Sequence, residues 1–171
     1  AITSRYCAEY DQLMSSGLHS ELVDKRLIVP HEEVADFSSL ESVRDISDLY
    51  QVIQPQRVPF ISYPYEWSFS QIQDAARLTL EIQKIALKYD MSLKDSSAYN
   101  IQFVSGNPIF IDTLSFETYV EGKPWVAYRQ FCEHFLAPLA LASYCDVRLT
   151  RLLRTYIDGI PLDPASKLLP T

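Results

Sequence analysis

The chain has 171 residues, 22 acidic and 15 basic side chains, a net charge of −7 and a hydrophobic content of 47%. That balance, with no run of lysine or arginine, argues against a nucleic-acid surface or an anionic-membrane face, and no signal peptide or long apolar span is visible. Four glycines beside 11 tyrosines and 8 phenylalanines mark a packed chain with one core rather than a disordered one. Cys7, Cys132 and Cys145 are odd in number and far apart, so a disulfide framework is not expected and a reducing, cytoplasmic setting is. Because the sequence starts at Ala1, a fragment of a longer protein is expected.

In chain order, Tyr6, Tyr10, Leu13, Met14, Leu18, Leu22 and Val23 recur at helical spacing and predict two helical pieces joined at Gly17. The apolar run Leu27–Val29 closes at Pro30. His31-Glu32-Glu33 follows; it offers metal or acid/base chemistry but matches no metal-helix spacing, and reads as a solvated, turn-capping cluster. Residues 36 to 48 read as an exposed loop or a short irregular helix. Tyr50–Pro55 and Val58–Tyr63 are β-like runs that could pair. The aromatic stretch Tyr63–Ser68 is a partner surface if exposed and a corner of the core if buried. Ser70-Gln71-Ile72-Gln73 fits a capping box opening a long helix to Tyr89, with Ile72, Ala75, Ala76, Thr79, Ile82 and Ala86 as its buried stripe.

Met91–Glu117 carries most of the candidate chemistry. Ile101 and Phe103, then Ile109 and Ile111, alternate around Val104-Ser105-Gly106-Asn107-Pro108, which predicts an antiparallel hairpin. Asp95 and Asn100 lie in the loop entering it and Asp112 lies at its end. Folding back brings them near one another as an oxygen-rich cluster suited to magnesium. Beyond Glu117, Val126–Tyr144 predicts a helix with Tyr128, Phe131, Cys132, Phe135, Leu136 and Leu139 on one face, kinked or ended at Pro138, with His134 off the centre of that face as a structural hydrogen-bonder. Asp146 is expected to cap a helix with a core stripe of Leu149, Leu152, Leu153, Tyr156 and Ile157 and arginines Arg148, Arg151 and Arg154 on other faces. Gly159 ends it, and Asp163-Pro164 opens a last short helix.

A strand, a linker, a long buried helix, an Asp-x-x-x-x-Asn loop, a hairpin and a second Asp, in that order, resemble the C-terminal lobe of the protein-kinase-like fold. The resemblance implies an interlobe linker at Val58–Tyr65, a supporting helix at Ser70–Tyr89, Asp95 as the catalytic residue that positions an attacking hydroxyl, Asn100 and Asp112 as magnesium ligands, and ATP as the nucleotide. Lys94, placed where that family has Arg or Gly, is the cation assigned to the cofactor. Thr113-Leu114 replaces the family's Phe-Gly. Before Val58, Gly17 is the sole glycine and Lys25 the sole lysine, so neither a glycine-rich loop nor a phosphate-gripping strand lysine is present. Residues 1–57 thus read as a reduced N-terminal part, and 58–171 as a lobe-like part, of one α+β domain that is mainly helical with a small antiparallel sheet.

The segments SYPYEWSF, SLKDSSAYN, FIDTLSFE and KPWVAYRQFCEHFLAPLAL also resemble the N-terminal region of bacterial S-adenosylmethionine-dependent methyltransferase proteins similar to a rhizobial host-specific nodulation protein, over nearly the whole chain. That implies a C-terminal methyltransferase domain in the same polypeptide as partner. S-adenosylmethionine would be held there, since no glycine-rich strand-to-helix loop occurs here. Two functions follow. The first is a non-catalytic accessory domain recruiting a small-molecule or saccharide substrate, with Asp95, Asn100 and Asp112 capping loops. The second is a Mg-nucleotide phosphotransferase module. Convergence of the three residues on an open cleft favours the second, and hydrogen bonds to backbone amides favour the first.

Overall fold

The computed structural model describes residues 1–36 and 48–170; the expectation for the stretch around 36–48 falls, for 37–47, outside the described residues. Strand β1 (Ile2–Thr3) leads through a 3₁₀ turn into helices α1 (Cys7–Ser15) and α2 (Leu18–Asp24). Gly17 separates the helices at φ +90°, a left-handed conformation that costs glycine little. Their apolar spacing turns Tyr10, Leu13, Leu18 and Leu22 inward. His31–Glu33 forms β2 rather than a turn-capping cluster, and pairs antiparallel with β4 (Ile53–Pro55), while β3 (Leu49–Gln51) pairs with β1. Val58–Tyr63 therefore does not pair with Tyr50–Pro55. It has no strand structure, Pro59 withholds a ladder donor within it, and β4 already has β2 as its partner.

The aromatic stretch divides between the two alternatives. Trp67 is buried, edge-on to Phe103 and donating Nε1–H to Ser62 Oγ at 2.9 Å, whereas Tyr63, stacked on Tyr65, is exposed. Helix α3 (Phe69–Ala86) starts two residues earlier than expected. Two Ser-x-x-Gln frames overlap here, and Ser68 with Gln71 forms the capping box, two residues upstream of the frame Ser70 with Gln73. Its predicted stripe is buried throughout. Gln83 on this helix is buried too: its Oε1 accepts the Leu93 amide at 2.7 Å and its Nε2 donates to Ser92 Oγ at 3.0 Å. The helix thereby holds β5 (Met91–Leu93), whose three residues are all buried and which runs straight into Lys94 and Asp95.

The predicted hairpin is present as β6 (Ile101–Val104) and β7 (Asn107–Phe110), with Ile101 opposite Phe110. Its two-residue turn has φ +50° at Ser105 and +82° at Gly106, the twist-matched turn with both central residues left-handed. β8 (Phe116–Thr118) returns to pair antiparallel with β5. The chain ends in α4 (Tyr128–Phe131), a π-helical turn at Cys132–Leu136, α5 (Ala137–Tyr144), a 3₁₀ helix at Val147–Arg154 and α6 (Leu162–Leu168). The fold is α+β with more helix than strand, the described strands forming four two-stranded antiparallel ladders. One core of α3 side chains with Met91, Leu93, Phe110, Phe116, Phe135 and Leu141 joins the ladders to the C-terminal helices. Among the described residues no helix is long and apolar enough to cross a membrane.

Gln83→Leu fills the same space without an acceptor for the Leu93 amide. It should lower stability by about 1–3 kcal/mol, the cost of an unmet buried donor, in a denaturant titration. A loss under half of the lower figure would show that β5 does not depend on this contact.

Candidate functional site

The hairpin brings two of the three predicted polar residues into one chain of hydrogen bonds. Asn100 Nδ2 donates to Ser115 Oγ at 3.2 Å, Ser115 Oγ donates to Asp112 Oδ2, and Asp112 Oδ1 accepts the Leu114 amide at 3.0 Å. Asp95 Oδ1 accepts the Ser97 amide at 2.8 Å, and Asp95 faces a different cavity. Lys94 is exposed, its Nζ 4.1 Å from the centroid of the Tyr6 ring. Among the described residues no group of three His, Cys, Asp or Glu side chains is placed to hold a metal ion.

Asp95 lines a cleft of about 380 Å³ with Ser97, Tyr99, Gln130, His134, Ile157 and Asp158. Its construction starts from Pro138. In an α-helix the Glu133 carbonyl would receive the Ala137 amide, but in the π turn that amide donates to Cys132 O instead. The next position along, Pro138, has no N–H to give. Glu133 O accepts the Ile160 amide at 2.8 Å from across the structure. Gly159 makes that approach possible: a Cβ there would lie 2.7 Å from Glu133 Cβ and 2.9 Å from Glu133 C, and its φ is +97°. The turn carrying Ile157 and Asp158 is thereby fastened against the π turn carrying His134.

The extra residue of the π turn also corrects the expected helix face. His134, expected off centre, is 3% exposed and lines the cleft, while Leu136, expected in the core, is 52% exposed; Tyr128, also expected on that face, lies ahead of the π turn at the start of α4 and is 60% exposed. His134 Nδ1 has no hydrogen-bond partner. Burial pushes its pKa down, and the Asp95, Glu133 and Asp158 charges oppose that. The expected stripe beyond Asp146 is corrected as well. The 3₁₀ helix stops at Arg154, so of Leu149, Leu152, Leu153, Tyr156 and Ile157 only Leu153 is fully buried, and Ile157 lies outside the helix on the cleft rim. Asp146 does cap that helix, through the Arg148 amide at 2.8 Å. Asp163 falls in the first turn of α6, after Pro161 at the cap, where it pairs with Lys167.

A second polar cluster joins His19, His31, Tyr10 and Glu33. The His rings lie 4.4 Å apart, His31 Nε2 is 3.1 Å from Tyr10 Oη, and that hydroxyl donates to Glu33 at 2.7 Å. Burial, then the neighbouring His31, pushes His19 down to about 4. A larger groove of about 860 Å³ runs past the hairpin turn, but two of its cations are paired, Lys25 with Glu21 and Arg77 with Asp74, and none of the predicted site residues lines it. The smaller cleft holds Asp95, a predicted site residue, with Asp158 and the buried His134, and is the candidate site.

Gly159→Ala should cost at least about 2 kcal/mol through contact with Glu133 and the left-handed backbone together. Gly106→Ala meets nothing within 4 Å and should cost about 1 kcal/mol from backbone alone. Equal losses in chemical denaturation would remove the close approach from the argument. The folded chain holds a proton on His19 less tightly than the unfolded chain does. The stability this contributes is complete above about pH 6.5 and is lost as pH falls toward 4. Melting temperature should fall over that window, and less steeply in His19→Leu; parallel profiles would count against it.

No protein-family profile matches the chain, and neither does any solved structure. The chain is similar to Nodulation protein NoeA of Rhizobium meliloti (strain 1021), with 38% identity over 151 residues, 85% of this chain. It spans 31% of the length of that relative, so the similarity is to a segment of a longer bacterial nodulation protein.

Proposed function

We propose that this chain is an accessory, substrate-recruiting module of a NoeA-like protein and performs no phosphoryl transfer itself. The observation that carries the reading is the engagement of both candidate carboxylates by their own loops. Asp95 accepts the Ser97 amide, and Asp112 accepts the Leu114 amide and the Ser115 hydroxyl. Magnesium needs several converging, near-octahedral oxygens, and these two carboxylates each give one oxygen to a local amide and stand in different clusters, which meets that need poorly. Lys94, the cation assigned to the nucleotide, rests on Tyr6, and no glycine-rich loop stands in the first 57 residues to cradle phosphates. The kinase-like order of elements would then be a scaffold. Methyl transfer with S-adenosylmethionine would belong to a C-terminal domain of the longer polypeptide, and this module would present a small-molecule or saccharide substrate to it in the cytoplasm.

The alternative, a Mg-nucleotide phosphotransferase module with Asp95 as catalytic residue, draws on the link from Asn100 through Ser115 to Asp112. Thermal-shift titration with Mg-ATP and Mg-ADP separates the two, because a ligand that binds only the folded state stabilises it by about 2.7 kcal/mol at a hundredfold excess over Kd. The accessory reading expects no magnesium-dependent shift at millimolar nucleotide, in wild type or in Asp112→Ala. A shift present in wild type and abolished by Asp112→Ala would replace it with the phosphotransferase.

A further inference from the structure

We infer that the cleft between Asp95 and Asp158 is a binding site for a small organic cation, a protonated primary amine on a compact carbon skeleton. The inference rests on the substrate-recruiting reading and names the class of substrate.

Charge selects the sign of the ligand. Asp95 and Asp158 both line the cleft, and no lysine or arginine lines it with them. The nearby Arg129 is spent on Glu133, Nε to Oε1 at 3.0 Å. Asp95 uses one carboxylate oxygen on the Ser97 amide and keeps the other, and Asp158 stands exposed on the turn fixed by Gly159 and Ile160. An anionic ligand would meet two like charges with no counter-charge, whereas an ammonium would meet two acceptors.

His134 is the second, independent sign that the cleft is built for a ligand. It is 3% exposed, it lines the cleft, and Nδ1 has no partner in a structure that otherwise satisfies its buried side chains at all but one described atom, His19 Nε2. A buried unmatched polar atom costs stability, and a functional role is one of the reasons a fold retains one. Burial pushes the His134 pKa down, which favours an uncharged imidazole beside the two carboxylates over a counter-charge that would cancel them. The remaining walls suit a carbon skeleton. Tyr99 stands edge-on to His134 with ring centroids 6.3 Å apart, Ile157 closes the rim, and Gln130 is held in place by Ser96, whose amide it accepts at 2.7 Å. The volume lies at the small end of the range for small-molecule sites, about 300–1,000 Å³.

The test uses one skeleton in three charge states, benzylamine, benzyl alcohol and benzoate, titrated at pH 7.5 into the ¹⁵N-labelled chain and read by amide chemical shifts. Benzylamine should move the Ser97, Gln130 and Asp158 amides, with its Kd about three- to fivefold weaker in Asp158→Asn, the effect of one partly exposed charge. Asp158 is exposed, so that variant keeps the fold. Benzoate should leave those amides unmoved. Benzoate or benzyl alcohol binding as tightly as benzylamine would overturn the inference, as would shifts confined to residues outside the cleft or an unchanged Kd in Asp158→Asn. Failure here with no Mg-ATP shift removes the ligand class and leaves the accessory role standing; a Mg-ATP shift removes the accessory role whatever the amine does.

Discussion

The carbonyl oxygen of Glu133 has no donor in its own helix, and the C-terminal half of the molecule is arranged around that deficit. Pro138 creates it, the π turn at Cys132–Leu136 accommodates it, and the amide of Ile160 relieves it from 27 residues downstream at 2.8 Å. A buried acceptor left unmet is expensive, so the segment that meets it is held tightly. One backbone hydrogen bond thus fixes the path of the chain through Gly159 and stations Asp158 beside His134. Single-turn π segments often mark functional sites because the inserted residue re-aims a side chain. Here it turns His134 inward.

The other wall of the cleft is fixed from α3. The capping box at Ser68 and Gln71 starts a helix of five turns, and two polar side chains on it face the core: Thr79, whose hydroxyl returns to the Ala75 carbonyl, and Gln83, which reaches beyond the helix. Gln83 closes on Ser92 and Leu93, so the loop that begins at Lys94 starts from a strand held both by β8 and by α3. Asp95 is then placed by short-range forces alone, in a turn closed by the Ser97 amide. The two walls meet at Gln130 and Ser96, where the Ser96 hydroxyl also reaches the Ala127 carbonyl at 2.9 Å.

What could be read from the residues follows the range of the forces involved. Helix α3, the hairpin and the break at Gly17 are local: spacing, turn residues and capping decide them, and the structure keeps all three. Strand partnership is not local. β2 was legible only as a charged triplet, because its partner β4 lies more than twenty residues away and the pairing that sequence spacing suggests, Tyr50–Pro55 with Val58–Tyr63, was the wrong one. The candidate site divides the same way. The link from Asn100 to Asp112 follows from hairpin geometry and Asp95 is held apart from it by its own turn with the Ser97 amide, but the arrival of His134 and Asp158 depends on the π turn. Pro138 was the available signal, since a proline inside an apolar helix requires some local device, and a one-residue insertion redirects every side chain after it by about 100°.

The distribution of cations limits what either carboxylate cluster can do. Phosphoryl transfer is almost entirely positioning and charge stabilisation, which places lysine, arginine or metal ions at the phosphates. In this chain Lys94 lies over Tyr6, Arg154 lies 5.8 Å from the Tyr65 ring, and Arg129 is paired with Glu133. Each is near the carboxylates in sequence or in space, and each has its charge directed to another partner. A nucleotide entering the cleft would therefore set phosphate against Asp95 and Asp158 with no cation among the lining residues to separate them. A positively charged ligand would reverse the sign of that energy.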